Sequence, residues 1–176
     1  SQGNKVWLNN GSGSFTDSGQ SLGSRYSRGI ELADLDGDGD LDAFVANYSQ
    51  GNKVWLNNGS GVFTDSGQSL GSLQSTDVDF TDFDGDGDLD AFVANYDQGN
   101  KVWLNNGSGT FIDTGQSLRQ NSSYDESYGV DLADVDGDGD VDAFVANYND
   151  YNKVWLNDGS GNFSDSGQSL RYSSSY

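Results

Sequence analysis

One nine-residue pattern occurs three times and constrains the chain more than any other feature. Aspartates occupy its first, third, fifth, seventh and ninth positions, glycines its fourth and sixth, and apolar residues its second and eighth. Five carboxylates this close together repel one another unless a cation lies between them. Aspartate and glycine are also ordinary turn residues, but three copies with identical spacing favour a bound cation. The copies span residues 34–42, 82–90 and 134–142.

Calcium is the cation that we expect in these loops. It takes about six to eight oxygen ligands in irregular geometry, whereas magnesium keeps several waters and needs a stricter octahedron. Zinc prefers cysteine and histidine, and the chain has neither. We predict ligation by the side chains at positions 1, 3, 5 and 9, the last one bidentate, and by the backbone carbonyl at position 7. The candidate residues of the three Ca²⁺ sites are Asp34, Asp36, Asp38, Asp40 and Asp42; Asp82, Asp84, Asp86, Asp88 and Asp90; and Asp134, Asp136, Asp138, Asp140 and Asp142.

Two other calcium-binding devices do not fit these loops. An EF-hand needs flanking helices and a glutamate at loop position 12, where this chain has Val45, Val93 or Val145. A calcium-binding β-roll needs its nonapeptides in tandem, whereas here one nonapeptide recurs every 48 or 52 residues.

The whole chain repeats with this period. The segment Asn-Lys-Val-Trp-Leu-Asn begins at Asn4, Asn52, Asn100 and Asn152. Around the first aspartate loop, alternating and apolar runs predict four strands, and no stretch shows a helical period of useful length. We label these strands A to D, and they span Arg28–Ala33, Asp42–Tyr48, Lys53–Asn57 and Phe63–Leu70.

Tight turns between these strands predict an antiparallel meander with two apolar faces. Repeated sheets of this kind are the blades of a β-propeller, each hiding its faces against its neighbours. The predicted fold class is therefore all-β, a β-propeller-type array of four-stranded antiparallel blades. The chain has four C–D pairs but three A–B pairs, which makes three full blades and an N-terminal half blade. Within one repeat domain (residues 1–176), we expect the half blade at 1–22 and full blades at 23–70, 71–118 and 119–176.

Composition and charge narrow the function. The 176 residues carry a formal net charge of −20, which argues against nucleic acid or an anionic membrane surface as a partner. No run is long enough to predict membrane insertion. The chain starts with Ser1 and shows no signal peptide, so we interpret it as a mature or excised segment. Calcium loops of this kind suit the millimolar calcium outside cells, which predicts an extracellular protein, secreted or on the cell surface.

Three motifs follow one another in each unit: Asp-x-Asp-Gly-Asp-Gly-x-x-Asp, Ala-Phe-Val-Ala-Asn-Tyr and Asn-Lys-Val-Trp-Leu-Asn. Together they resemble FG-GAP/VCBS repeats, the blades of integrin α-subunit-like propellers and of many secreted bacterial proteins. The resemblance covers essentially the whole chain. It implies a β-propeller with Ca²⁺ in each A–B loop and a role in extracellular adhesion, recognition or scaffolding. Family propellers usually have about seven blades, which this chain does not supply.

The favoured function is a non-enzymatic, calcium-stabilised extracellular repeat protein with an adhesive or structural role. Paired carboxylates can act as acid and base, but nearly every clustered carboxylate here is assigned to a cation. An open half blade presents a strand edge and an apolar face. We therefore expect the half blade and the C-terminal blade to associate with copies of the same chain or with further blades of a longer array.

The alternative function is a carbohydrate-binding, lectin-like propeller, and a protein ligand is a further possibility. Tyrosine rings can stack on sugars, and several tyrosines fall in the B–C turns and D–A connections. Packing at strand ends is the favoured explanation of Tyr48, Tyr96 and Tyr148, whereas Tyr124, Tyr128 and Tyr151 are additions to the repeat pattern. The candidate positions are Tyr26, Tyr48, Tyr96, Tyr124, Tyr128, Tyr148 and Tyr151.

Overall fold

A computed structural model describes residues 3–23, 26–119 and 126–170. Fourteen β-strands and no helix occur in these ranges, and the strands form one two-stranded sheet and three four-stranded sheets. The strands are β1 (Asn4–Asn9), β2 (Phe15–Leu22), β3 (Ser27–Ala33), β4 (Asp42–Asn47), β5 (Lys53–Asn57), β6 (Phe63–Asp65), β7 (Gln74–Thr81), β8 (Asp90–Tyr96), β9 (Lys101–Asn105), β10 (Phe111–Asp113), β11 (Ser127–Ala133), β12 (Asp142–Asn147), β13 (Lys153–Asn157) and β14 (Phe163–Asp165).

Each four-stranded sheet is an antiparallel meander in chain order. Blade 1 is β3–β4–β5–β6, blade 2 is β7–β8–β9–β10 and blade 3 is β11–β12–β13–β14, while β1 and β2 form the half blade. The predicted all-β class, with three full blades and an N-terminal half blade, is therefore confirmed. The described residues form a stack of sheets without a closed ring.

The outer strand of each full blade is shorter than predicted. In blade 1, β6 ends at Asp65, and the expected continuation to Leu70 is reduced to a single bridge between Leu70 and Asn52. The physical reason is a local turn: Gly67 has a φ of 84°, and its amide donates to the Asp65 carboxylate at 2.8 Å. Short-range hydrogen bonds from aspartate and serine side chains compete here with the strand ladder.

The blades stack through their apolar faces. Phe44 and Leu70 of blade 1 belong to one buried cluster with Trp103 and Phe111 of blade 2. Phe44 meets the Phe111 ring edge-to-face, with the ring centres 5.7 Å apart. A second cluster joins blades 2 and 3 in the same way. It contains Phe83, Phe92, Val102, Leu118, Ala143, Val145, Trp155 and Phe163.

A glutamine side chain links each sheet to the next one through two hydrogen bonds, a contact that we call the glutamine clip. Gln116 Nε2 donates to the Gly161 carbonyl at 2.7 Å, and the Phe163 amide donates to Gln116 Oε1 at 2.8 Å. Gln20 and Gln68 make the same pair of bonds to the C–D hairpins of blades 1 and 2. Sequence analysis missed this role, although a glutamine at a constant offset in every repeat was the available signal.

The half blade leaves part of blade 1 uncovered. Ile30 and Leu32 point from β3 to the side where an A–B pair would lie, and both are exposed. Their counterparts Val78 and Phe80 of blade 2 pack into the interface with blade 1. A cleft of about 330 Å³ opens beside Ile30, between the half blade and blade 1.

The glutamine clip makes a stability prediction. We expect Gln116→Ala to lower the free energy of unfolding by about 2 kcal/mol, because two net hydrogen bonds of about 1 kcal/mol each are lost. Thermal denaturation in dilute protein measures this. The matched control is Gln168→Ala, the same repeat position in blade 3, which has no following hairpin in the described chain. Equal melting temperatures for the two variants would contradict a clip function.

Candidate metal centre

Each aspartate loop closes the hairpin between the first two strands of a full blade. In blade 1 the last pair of the ladder is Ala33 with Asp42, so the loop starts and ends at neighbouring positions. Gly37 and Gly39 have φ values of 77° and 92°, a region that glycine enters without steric cost. The two glycines therefore let the loop curl tightly enough to turn its carboxylates inward.

The ninth-position aspartate is the fully buried anchor of each loop. In blade 2, Asp90 Oδ2 accepts the Phe83 amide at 2.9 Å, and Oδ1 accepts the Asn105 amide at 2.8 Å. Phe83 is the second loop residue and Asn105 ends strand C, so one carboxylate ties the loop to a neighbouring strand. Asp42 and Asp142 make the corresponding pairs of bonds.

The first-position aspartate holds the curled part of the loop. Asp34 accepts the Gly37 amide at 2.9 Å on Oδ1 and the Gly39 amide at 3.0 Å on Oδ2. Positions 3 and 5 each accept the amide two residues further on: Asp38 N lies 3.2 Å from Asp36 Oδ1, and Asp40 N lies 2.9 Å from Asp38 Oδ1. A carboxylate has about four lone-pair sites, so these bonds leave capacity for a cation.

The seventh-position side chain lies against the C–D turn of its own blade. A Cβ atom built on Gly59 would meet Asp40 Oδ2 at 2.5 Å, and Gly59 has a φ of 75°. Asp88 faces Gly107, and Asp140 faces Gly159, in the same way. This placement agrees with a role in which position 7 offers the loop its backbone carbonyl and directs its carboxylate elsewhere.

The structure brings three carboxylates together in each loop, with one oxygen of each within 4.8 Å of the others. The groups join positions 1, 3 and 9 in the first and third loops and positions 1, 3 and 5 in the second. Oxygen ligands in an irregular cluster fit calcium; the full ligand set stays a prediction. The grouped residues are Asp34, Asp36 and Asp42; Asp82, Asp84 and Asp86; and Asp134, Asp136 and Asp142.

Burial makes the ninth-position carboxylates of the first two loops costly to ionise in the absence of a cation. Burial is the largest influence on Asp90 and, with the negative charges of Asp84 and Asp86, raises its pKa to about 6, against the Asn105 and Phe83 amides that lower it. Burial likewise raises the pKa of Asp42. A divalent cation in the loop would favour the charged form and remove this cost.

The second loop position joins the first and second centres to the next blade. Asn105 Nδ2 donates to the Leu35 carbonyl at 2.8 Å, and Asn157 Nδ2 donates to the Phe83 carbonyl at 3.0 Å. Asn57 is the equivalent residue of blade 1, and the half blade before it has no aspartate loop. Asn57 donates to the Leu41 carbonyl of its own blade. The asparagine that ends strand C is thus a functional residue that sequence analysis did not single out.

Four of the tyrosines proposed for sugar binding form one row. Tyr48 and Tyr96 have ring centres 6.0 Å apart, Tyr96 and Tyr128 5.8 Å, and Tyr128 and Tyr148 5.5 Å. The Tyr96 hydroxyl donates to Glu126 Oε1 at 2.8 Å, and this bond raises the pKa of Tyr96 to about 12. Among the other candidates, Tyr26 and Tyr151 are exposed, and Tyr124 lies outside the described residues.

Repeated four-stranded blades with an aspartate loop between their first two strands define a β-propeller-type repeat protein. The chain belongs to the FG-GAP-like repeat family, whose sequence model matches residues 1–45, 34–93, 82–145 and 134–175. Successive matches overlap across an aspartate loop, so the loop is the joint between family units. A comparison with curated proteins finds no match. Among the described residues, no helix is long and apolar enough to cross a membrane.

The raised pKa of Asp90 predicts a pH dependence in the presence of a chelator. A carboxyl that binds its proton more tightly when folded stabilises the fold below its unfolded pKa, and that contribution disappears as the pH rises through the folded pKa. We therefore expect the melting temperature of the chelated protein to fall between pH 3.8, the ordinary value for aspartate, and about pH 6. Excess calcium should abolish this fall, because the bound ion favours the ionised carboxylate.

The matched pair for this prediction is Asp90→Asn and Asp97→Asn, since each removes one negative charge. Asp97 is exposed and has a φ of 67°, a conformation that asparagine tolerates well. We expect the first variant to flatten the pH dependence and the second to preserve it. Parallel curves for both variants would show that general charge repulsion, rather than the buried carboxyl, governs the effect.

Proposed function

We propose that the protein is a non-enzymatic, calcium-stabilised extracellular repeat protein with an adhesive or structural role. The observation that carries the proposal is the buried ninth-position carboxylate, which bonds to its loop and to strand C with both oxygens and joins the carboxylate group of the first and third loops. A cation held by this group and its neighbours would brace the A–B corner of the blade. Membership of the FG-GAP-like repeat family supports this function.

The energetic consequence of three such sites is large for a chain of this size. At a free calcium concentration of 100 times the Kd, one site that binds only the folded state contributes about 2.7 kcal/mol. The free energy of unfolding of a typical domain is only about 5–15 kcal/mol. Calcium at the millimolar level found outside cells would thus decide whether the blades stay folded, and this supports an extracellular location.

We infer that the clustered carboxylates serve the proposed cation rather than catalysis. Their oxygens already accept backbone amides within the loops, and the proposed cation uses the remaining capacity. The chain contains no histidine or cysteine, which removes the commonest general base and one strong nucleophile. These features favour a binding or structural role over catalysis.

Calorimetric titration with calcium tests the proposal. We expect three bound ions per chain, and a melting temperature that drops when a chelator is added. Asp42→Asn should weaken the first site by at least about 10-fold, since even the loss of a residue that only supports a metal ligand can cost this much affinity. Asp40→Asn, at position 7, removes the same charge and should leave that affinity nearly unchanged. Absence of calcium binding, or equal losses in both variants, would refute the proposed roles.

The tyrosine row favours carbohydrate binding as a second candidate function. Tyr128 and Tyr148 are exposed members of the row, and the Arg28 guanidinium lies 4.5 Å from the Tyr48 ring centre at its other end. The exposed rings offer a stacking surface for a sugar, and the guanidinium offers polar contacts at the opposite end of the row. Mutual packing of the rings explains the same geometry, so binding must be measured directly.

A glycan array followed by titration of any hit tests this second function. We expect Tyr128→Ala to abolish binding, because it removes an exposed inner ring of the row and separates Tyr148 from Tyr96. Tyr26→Ala is the control, since Tyr26 is exposed and has no ring contact with the row among the described residues. An array without hits, or equal loss of binding in both variants, would exclude the row as a sugar site.

A further inference from the structure

We propose that copies of this chain associate head to tail, with the half blade of one copy stacked on blade 3 of another. This rests on the proposed structural role and names its partner: a second copy of the same chain. Three sheet-to-sheet junctions occur inside the described chain, and all use the same clip. At the two ends of the described stack, blade 3 presents a full blade face, and the half blade presents the part of the junction that strands C and D supply.

The C-terminal half of the junction is blade 3. Leu170 is 37% exposed, whereas its counterpart Leu118 in blade 2 is 7% exposed because blade 3 covers it. Val135, the second residue of the third aspartate loop, is 47% exposed, whereas Phe83 in the second loop is 1% exposed. Gln168 stands at the position of the clip glutamines and is exposed.

The N-terminal half of the junction is the hairpin of β1 and β2. Phe15 is 62% exposed, whereas its counterpart Phe163 is 8% exposed against blade 2. Trp7 is exposed as well, whereas Trp103 and Trp155 are buried at the same repeat position. Gly13 and Phe15 correspond to the glycine and phenylalanine that receive the clip in the other three sheets.

The internal junctions specify the contacts that a second copy would make. Gln168 Nε2 of one copy donates to the Gly13 carbonyl of the other, and Oε1 accepts the Phe15 amide, as Gln116 does with Gly161 and Phe163. Asn9 Nδ2 donates to the Val135 carbonyl, as Asn157 does to Phe83. Phe15 and Trp7 cover the apolar surface that includes Leu170.

The contact joins two different surfaces, so it is heterologous. Such a contact produces a ring if its rotation closes and an open filament if it does not. The net charge of −20 opposes association, and repulsion between copies is screened by salt. Association should therefore strengthen as the ionic strength rises, because salt weakens the repulsion between the negatively charged copies while the apolar contact remains.

Two end-blocking variants give the decisive experiment. Phe15→Asp blocks the N-terminal surface and Leu170→Asp blocks the C-terminal one, and both positions are exposed in the single chain. We expect the unmodified chain to form oligomers whose mass by light scattering exceeds that of one chain. Each blocked variant alone should be monomeric, and an equal mixture of the two should give dimers, because it contains one intact surface of each kind.

Further variants distinguish the specific contacts from nonspecific hydrophobic association. Ile112→Asp changes an exposed aliphatic residue of blade 2 to the same acid and should leave association unchanged. Gln168→Ala keeps the apolar surface and should weaken association about 30-fold, the equivalent of about 2 kcal/mol from the lost clip. Circular dichroism of each variant verifies that the blades remain folded.

Several outcomes would overturn the proposal. They are a monomeric mass for the unmodified chain at every concentration and ionic strength, dimers in either blocked variant alone, and no dimer in the mixture. Calcium titration of the same samples separates this result from the proposed calcium function. A chain that binds calcium and stays monomeric refutes only the association, whereas oligomers without calcium binding refute only the metal.

Discussion

A buried carboxylate at the ninth loop position is the interaction on which each full blade depends. Asp90 joins the second loop residue to the end of strand C through two backbone amides. The carbonyl of that second residue then accepts a bond from Asn157 in the next blade. Loop, strand and neighbouring blade therefore share one short chain of hydrogen bonds, and a cation in the loop would reinforce all three.

Stacking between blades distributes the stability along the chain. The two interfaces between full blades repeat the same contacts, which are a Phe–Phe edge, a tryptophan and a clip glutamine. The interface between the half blade and blade 1 shares the clip. Such architectures gain stability from nearest neighbours rather than from one central core. The same property leaves the outer sheets with apolar surface that no other described sheet covers, which is why Phe15 and Leu170 are exposed while Phe163 and Leu118 are buried.

The sequence was most informative where local chemistry acts alone. Alternation and apolar runs identified the strands, and the constant offset of Asn-Lys-Val-Trp-Leu-Asn revealed the half blade. Strand D was predicted too long, because the pattern from Phe63 to Leu70 did not show that Asp65 and Gly67 would form a turn. The clip of Gln116 also escaped prediction, since a polar residue at the outer strand looks solvent-facing until the next hairpin is placed beside it.

The amino-acid sequence by itself determined the class of fold, the number of blades and the position of three carboxylate loops, because strand periodicity and aspartate spacing are local properties of the chain. Only the tertiary structure decided which carboxylate is buried, which side chains join one blade to the next and which tyrosines share a row. Burial of Asp90 and the bond from Asn105 to Leu35 require residues far apart in the chain to meet. Such contacts arise from the stacking of blades, which no single repeat specifies alone.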